Sequence, residues 1–173
     1  ATDKDKGILS LKRVSPMPIS SYFAARIITA MLFALVIILS LFALGAAFGS
    51  VAMTRGQWIY TLITVLFGTL PFCAIGLFIG LSVSAKAAPA VVNLIYLPMA
   101  FLSGLWVPIQ LFPSTLELVA NIFPAYHLAQ LTLAIQGNDS GAPWYLHAGA
   151  LTAYTLVFLG LSVKQFNAID NRH

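Results

Sequence analysis

The side chains able to do chemistry are few, and they lie apart. His127 and His147 are 20 residues apart, and Glu117 and Asp139 are the carboxylates nearest to them in the chain. A zinc site wants three or four ligands at tight spacing with an oriented second shell. Two histidines and two scattered acids do not supply that, so both read as ordinary interfacial histidines and no metal is expected. Cys73 is the single cysteine, sits in an apolar run and cannot form an internal disulfide. It reads as a small core residue. No His-Glu-x-x-His and no Ser/His/Asp set is present, and Ser103-Gly104 is not a Gly-x-Ser-x-Gly elbow. A Gly-rich Walker loop is absent too, so the chain is not expected to be an enzyme or to bind ATP and Mg itself.

Positioning is then what the chain does, and composition names the solvent. Of 173 residues, 60% are hydrophobic and 8% charged. Soluble domains carry about 25% charged residues. A core of this length cannot hide so much apolar side chain, so the solvent must be lipid. A span needs ~20 apolar residues, and a central Lys or Arg costs about 2.5–3.5 kcal/mol where a Leu returns only about 0.3–0.6. Spans should therefore fall between charges. Arg26 to Arg55 encloses 28 uncharged residues, Arg55 to Lys86 and Lys86 to Glu117 each 30, and Asp139 to Lys164 encloses 24. The gap from Glu117 to Asp139 holds Asn121, Pro124, His127, Gln130 and Gln136 and is rejected as a span.

The expected fold is all-α: a polytopic membrane helix bundle with four transmembrane helices in one domain, residues 1–173. Spans are expected at 26–49, 58–83, 90–107 and 146–163, with a kink at Pro71. Residues 1–25 should form a cytoplasmic helical segment, 108–145 an outer helical region and 164–173 a tail. Lys4, Lys6, Lys12, Arg13, Arg26, Lys86, Lys164 and Arg172 fall on one side of this arrangement and only Arg55 on the other. The excess of positive charge puts both termini in the cytoplasm. The net charge of +4 thus reads as membrane topology, with no nucleic-acid partner implied. No acid or base lies in mid-span, which argues against an ion-driven carrier.

The stretch from Val91 to Tyr126 starts as a span and stops behaving like one near Val107-Pro108. Pro108, Pro113 and Pro124, with Gln110, Glu117 and Asn121, break it. Two short outer helices are expected. The first runs from Ser114 to Ile122, capped by Ser114, with Glu117 near its positive start and Leu116, Val119, Ala120 and Phe123 on its buried side. The second runs from Ala125 to Gln136, with Leu128, Leu131, Thr132 and Ile135 on one face and Gly137 as the stop. Gly45/Gly49 and Gly76/Gly80 are two small-residue pairs four apart, suited to close helix packing within one subunit or between two.

The N-terminal stretch Asp3-Lys4-Asp5-Lys6-Gly7-Ile8-Leu9-Ser10-Leu11-Lys12-Arg13-Val14-Ser15-Pro16 fits a short amphipathic helix, with Ile8, Leu11 and Val14 on one side. It suits either an anionic lipid surface or a groove on a partner protein. This acid–basic alternation, then Gly, an apolar pair and Ser-Pro before a span, resembles the coupling-helix segment of type-2 ABC-transporter permeases. Ser103-Gly104, Val107-Pro108, Leu111-Phe112-Pro113 and Pro124-Ala125-Tyr126-His127-Leu128 are similar to that family's later segments.

The resemblance implies a membrane permease subunit of an ATP-driven ABC exporter. Its partners would be an ABC ATPase subunit that carries ATP and Mg, a second permease copy and membrane lipids. Asp5, Gly7, Ile8, Leu11, Val14 and Pro16 would form the ATPase contact. Pro108, Pro113, Glu117, Pro124, Tyr126 and His127 would belong to a partly re-entrant outer element. The cargo would be hydrophobic or amphipathic, such as a drug, an antibiotic or a lipid-linked glycan, and the location the cell inner membrane. The chain departs from the family in lacking its first two spans and the amphipathic helix before them, as a fragment would, or as a chain whose missing parts belong to another chain. The alternative reading is a non-transporting scaffold or accessory subunit.

Overall fold

The computed structural model describes residues 19–49, 51–104, 106 and 109–170. Helix is the regular structure throughout, and no strand occurs among the described residues. The elements in order are α1 (Ile19–Phe48), α2 (Arg55–Gly68), α3 (Leu70–Ser82), α4 (Ala88–Leu102), a 3₁₀ turn (Ile109–Leu111), α5 (Ser114–Ala120), α6 (Pro124–Gln136) and α7 (Trp144–Asp170). Among the described residues, three stretches are long and apolar enough to cross a membrane: Ser20–Phe48, Arg55–Ser82 and Trp144–Ile169.

α1 has no proline and no charge beyond Arg26, whose guanidinium lies 5.5 Å from the centre of the Tyr22 ring. Most of it faces outward, with Phe33 68% and Leu32 59% exposed. Apolar side chains so placed suit lipid or another apolar chain. Its hydroxyls bond inside the helix, Thr29 to the Ala25 carbonyl at 2.7 Å and Ser40 to that of Val36 at 2.8 Å. Thr152, Thr155 and Ser162 on α7 do the same. A hydroxyl satisfied within its own helix does not have to find water, which the bilayer core does not offer.

α2 opens on a capping box. The Thr54 hydroxyl accepts from the Gln57 N–H at 3.3 Å, and the Gln57 side-chain oxygen accepts from the Thr54 N–H at 2.9 Å. The second long stretch bends at Thr69, where α2 gives way to α3. Pro71 has no N–H to offer the Phe67 carbonyl, and the ladder breaks there. The Thr69 hydroxyl and N–H both turn back to Leu66, at 2.6 and 3.3 Å. The expected kink is thus a local break in the hydrogen-bond ladder at Thr69, which keeps helical angles (φ −75°, ψ −19°), within one continuous stretch from Arg55 to Ser82.

The most extensive packing joins α3 to α7, followed by α6 on α7 and α2 on α6. Ala74, Leu81, Leu151 and Ser162 are buried there, and the Phe78 and Phe158 rings meet edge-on at 5.8 Å. The N-terminal half of α1 touches the far end of α7 through Tyr22, Phe23 and Phe166, and its C-terminal half touches α2 through Phe42 and Trp58 at 4.7 Å.

α4 differs from the span expected at 90–107. It has 15 residues, carries Pro98 inside and ends at Leu102. The break comes at Ser103-Gly104, several residues before Val107-Pro108, because Gly104 takes φ 82°, a left-handed conformation that stops a helix. Of its side chains only Met99 and Ala100 are buried.

Candidate functional site

The site is the hairpin expected at the outer face, α5 and α6, seated on the start of α7. α5 begins at Ser114 with Pro113, not Ser114, in the capping position, and it stops at Ala120, two residues short of the expected Ile122. Glu117 lies in its first turn. Ala120 is fully buried, but Leu116 and Val119 stay 36% and 39% exposed, so the expected buried face is narrower than its apolar pattern. Ile109, Ala120 and Tyr126 form one cluster with Phe112 against it, and the Phe101 ring of α4 stacks on Phe112 at 6.3 Å.

α6 starts on Pro124, which suits a first turn whose N–H groups have no helical partner anyway. It ends where Gly137, at φ 74°, lets the N–H groups of Gly137 and Asn138 turn back to the carbonyls of Ala134 and Leu133 at 3.1 and 3.0 Å. Leu128, Leu131, Thr132 and Ile135, the expected buried face, are only half-buried. The fully buried residues are Pro124, Ala125, Tyr126 and Gln130.

Gln130 explains how the hairpin closes. It is 2% exposed, and its side-chain oxygen accepts the Ser140 N–H at 2.8 Å. The 137–143 loop therefore runs back along α6, and α7 begins level with the first turn of α6. That register brings His127 to His147, Nδ1 to Nδ1 at 2.9 Å. The Tyr126 ring meets both imidazoles edge-on, at 5.4 and 5.8 Å. His147 is 4% exposed, and its Nε2 has no hydrogen-bond partner in the protein. Burial holds His127 below the ordinary imidazole value. A charge on His147 would lower it further, while a hydrogen bond to the Asn121 backbone acts the other way.

Two more bonds tie the hairpin down. The Tyr154 hydroxyl of α7 donates to the Ile122 carbonyl. The Gln57 side chain of α2 donates to the Ile135 carbonyl at 3.2 Å. At the other end of α2, Gly68 is buried against Leu128 so closely that no side chain fits between the helices.

Two apolar cavities flank the hairpin. One, of about 400 Å³, lies between Phe67 and Pro71 at the α2–α3 bend, Leu131 on α6, and Trp144, Leu151 and Thr155 on α7. The other, of about 350 Å³, lies between Phe72, Tyr96 and Met99 and the α6 residues Ala125, Leu128 and Thr132.

Among the residues expected to act together, the structure sets Pro124, Tyr126 and His127 in the first turn of α6, with the Tyr126 and His127 rings in contact, and leaves Glu117 exposed on α5. Pro108 and the ATPase-contact residues Asp5, Gly7, Ile8, Leu11, Val14 and Pro16 lie outside the described residues. Gly45 and Gly49 sit where α1 turns toward α2; a Cβ at Gly45 would meet Val51 and Trp58 at 3.8 and 3.9 Å, and the Gly49 N–H donates to the Gly45 carbonyl at 2.9 Å. Gly76 is exposed with nothing within 4 Å of where a Cβ would be, and Gly80 is half-buried on the same helix. Sequence reasoning passed over Gly68, Gln130 and the joining of His127 with His147. No group of three or more His, Cys, Asp or Glu able to hold a metal occurs among the described residues.

Long apolar helices with internally satisfied hydroxyls, and a hairpin folded on the last of them, define a multi-helix integral membrane protein. The chain belongs to the family described as "ABC-2 family transporter protein", whose model matches residues 1–164. It is 28% identical over 160 residues to a protein of Bacillus subtilis (strain 168) named "Putative transport permease YvfS". The match takes in 92% of this chain and 64% of that relative, so the chain spans less than two thirds of the relative's length.

Proposed function

We propose that the chain is the membrane permease part of an ATP-driven exporter, working with an ABC ATPase and a second permease copy. The observation that carries this reading is the family match over residues 1–164 of a chain with three helices fit to cross a membrane. With α4 as a fourth crossing, the positive charges of the chain again gather on one side, and both ends face the cytoplasm. The outer hairpin then caps the far side. Residues 5–15 would lie in a groove of the ATPase and pass its closure to the spans. Apolar cavities of about 400 and 350 Å³ beside the hairpin favour a hydrophobic or amphipathic cargo.

The test is co-purification with a Walker-motif ATPase, followed by ATP turnover in vesicles with and without candidate apolar cargoes. Cargo-stimulated turnover is expected. A complex that forms but ignores every cargo, or a chain that binds no ATPase, would point to an accessory membrane subunit instead.

A further inference from the structure

We propose that the His127–His147 pair is an acid-released latch that holds the start of α6 against α7. The geometry requires it to respond to protons. Each neutral imidazole has one N–H and one bare nitrogen, so two neutral rings make one good bond across the 2.9 Å between their Nδ1 atoms. One added proton still leaves a bare Nδ1 to accept. Two added protons put an N–H on both facing nitrogens and a positive charge on both rings, and the bond becomes a repulsion in a place largely shut off from water.

The surroundings relieve that repulsion only in part: the Asn121 backbone favours a charge on His127, the Tyr126 ring stands steeply inclined to both imidazoles, and the Tyr154 hydroxyl of α7 is committed to the Ile122 carbonyl. Asp139, in the loop that runs back along α6, is the carboxylate that acts on His147. Arg55 on α2, Glu117 on α5 and Lys164 on α7 are not among the main influences on either ring. One carboxylate can neutralise one imidazolium but not two.

The sign follows. The latched state binds fewer protons than the released one, since burial holds His127 below its ordinary value. The latch is complete above the ordinary imidazole pKa of about 6.5 and weakens as pH falls below it. The remaining ties, Tyr154 to Ile122, Gln130 to Ser140 and Gln57 to Ile135, involve neither imidazole, so release loosens the first turn of α6 beyond the Ile122 tether and leaves its end anchored.

The experiment places nitroxides at Asn121 and Ala153, both exposed, in the Cys73→Ala chain held in lipid nanodiscs, and measures their separation at pH 7.5 and 4.5. One narrow distance is expected at pH 7.5, and at pH 4.5 a longer population that grows several-fold. His127→Gln should abolish the response, because an amide can still accept from His147 and cannot charge. His147→Gln should do the same. Identical distance distributions at both pH values in the chain with both histidines would overturn the latch, as would an unchanged pH response in both glutamine variants.

Discussion

The contact between Gly68 and Leu128 sets how closely α2 approaches α6, and it can be tested without knowing the cargo. A Cβ on Gly68 would lie 2.3 Å from Leu128 Cδ1, 3.1 Å from Cδ2 and 3.2 Å from Cγ. Turning the end of the leucine clears the two methyl carbons but not Cγ, so Gly68→Ala must move the whole side chain or push the helices apart. Overpacking of this kind costs about 1–3 kcal/mol. Replacing a helical glycine by alanine returns at most ~1 kcal/mol, and less at the last residue of a helix. With a return of at most ~0.5 kcal/mol at a helix end, the net loss is about 0.5–3 kcal/mol, which for a chain of this size lowers the melting temperature by ~1–12 °C, at ~2–4 °C per kcal/mol. Leu128→Ala alone should cost about 2 kcal/mol, the low end for a leucine truncation, because Leu128 is only half-buried. Together the two changes should be less damaging than their sum by at least ~1 kcal/mol, since the new methyl occupies space the leucine has left. The assay is the fraction of detergent-solubilised protein that stays monodisperse after heating, with Gly76→Ala as a control that meets no atom within 4 Å. A harmless Gly68→Ala, or two losses that simply add, would refute the close approach.

Gln130→Leu should destabilise the chain by about 1–3 kcal/mol by stranding the Ser140 N–H; equal melting of the two forms would show that the loop does not depend on this bond. Replacing Gly7 by a bulky residue, or Ile8 and Leu11 by Asp, is expected to uncouple ATP hydrolysis from export while the spans still insert; export at the wild-type rate would sink the ATPase contact. In the Cys73→Ala chain, single cysteines at Ser114, Asn138 and Ser140 should all react with an impermeant maleimide added to spheroplasts. Labelling of positions 114 and 140 from opposite sides would mean that the hairpin crosses the bilayer.

Features set by local chemistry were legible in the sequence. Charges cannot sit in lipid, so the gaps between Arg26, Arg55 and Lys86, and between Asp139 and Lys164, mark where the long helices run. A missing N–H acts wherever it falls, so Pro71 announced the break between α2 and α3. Gly137 announced the end of α6, because a left-handed residue there is most readily glycine. The helix end at Gly104 was missed because Pro108 looked like the stronger breaker, and a glycine inside an apolar run can equally well be helical. The histidine pair was missed for a different reason. Twenty residues of separation say nothing about contact until the course of the 137–143 loop is known, and that course is set by Gln130, a polar residue whose burial no periodicity reveals. Gly68 was hidden the same way, since its partner Leu128 lies 60 positions on.

The short α4 and the latched hairpin are parts of one solution to one constraint. Fifteen residues of helix rise ~22 Å at 1.5 Å each, against a hydrocarbon core of ~30 Å. On the proposed topology α4 carries its crossing only part of the way as helix, and backbone that leaves a helix at that depth must be shielded by protein. Ile109, Phe112 and Ala120 supply the shield, and what they pack on is Tyr126, in the first turn of α6. That turn is held to α7 by the bond between His127 and His147 and by Tyr154 on the Ile122 carbonyl. Loosening the start of α6 must then disturb the packing over the break in α4 as well. The short helix and the hairpin are thus coupled through one aromatic residue that is 3% exposed.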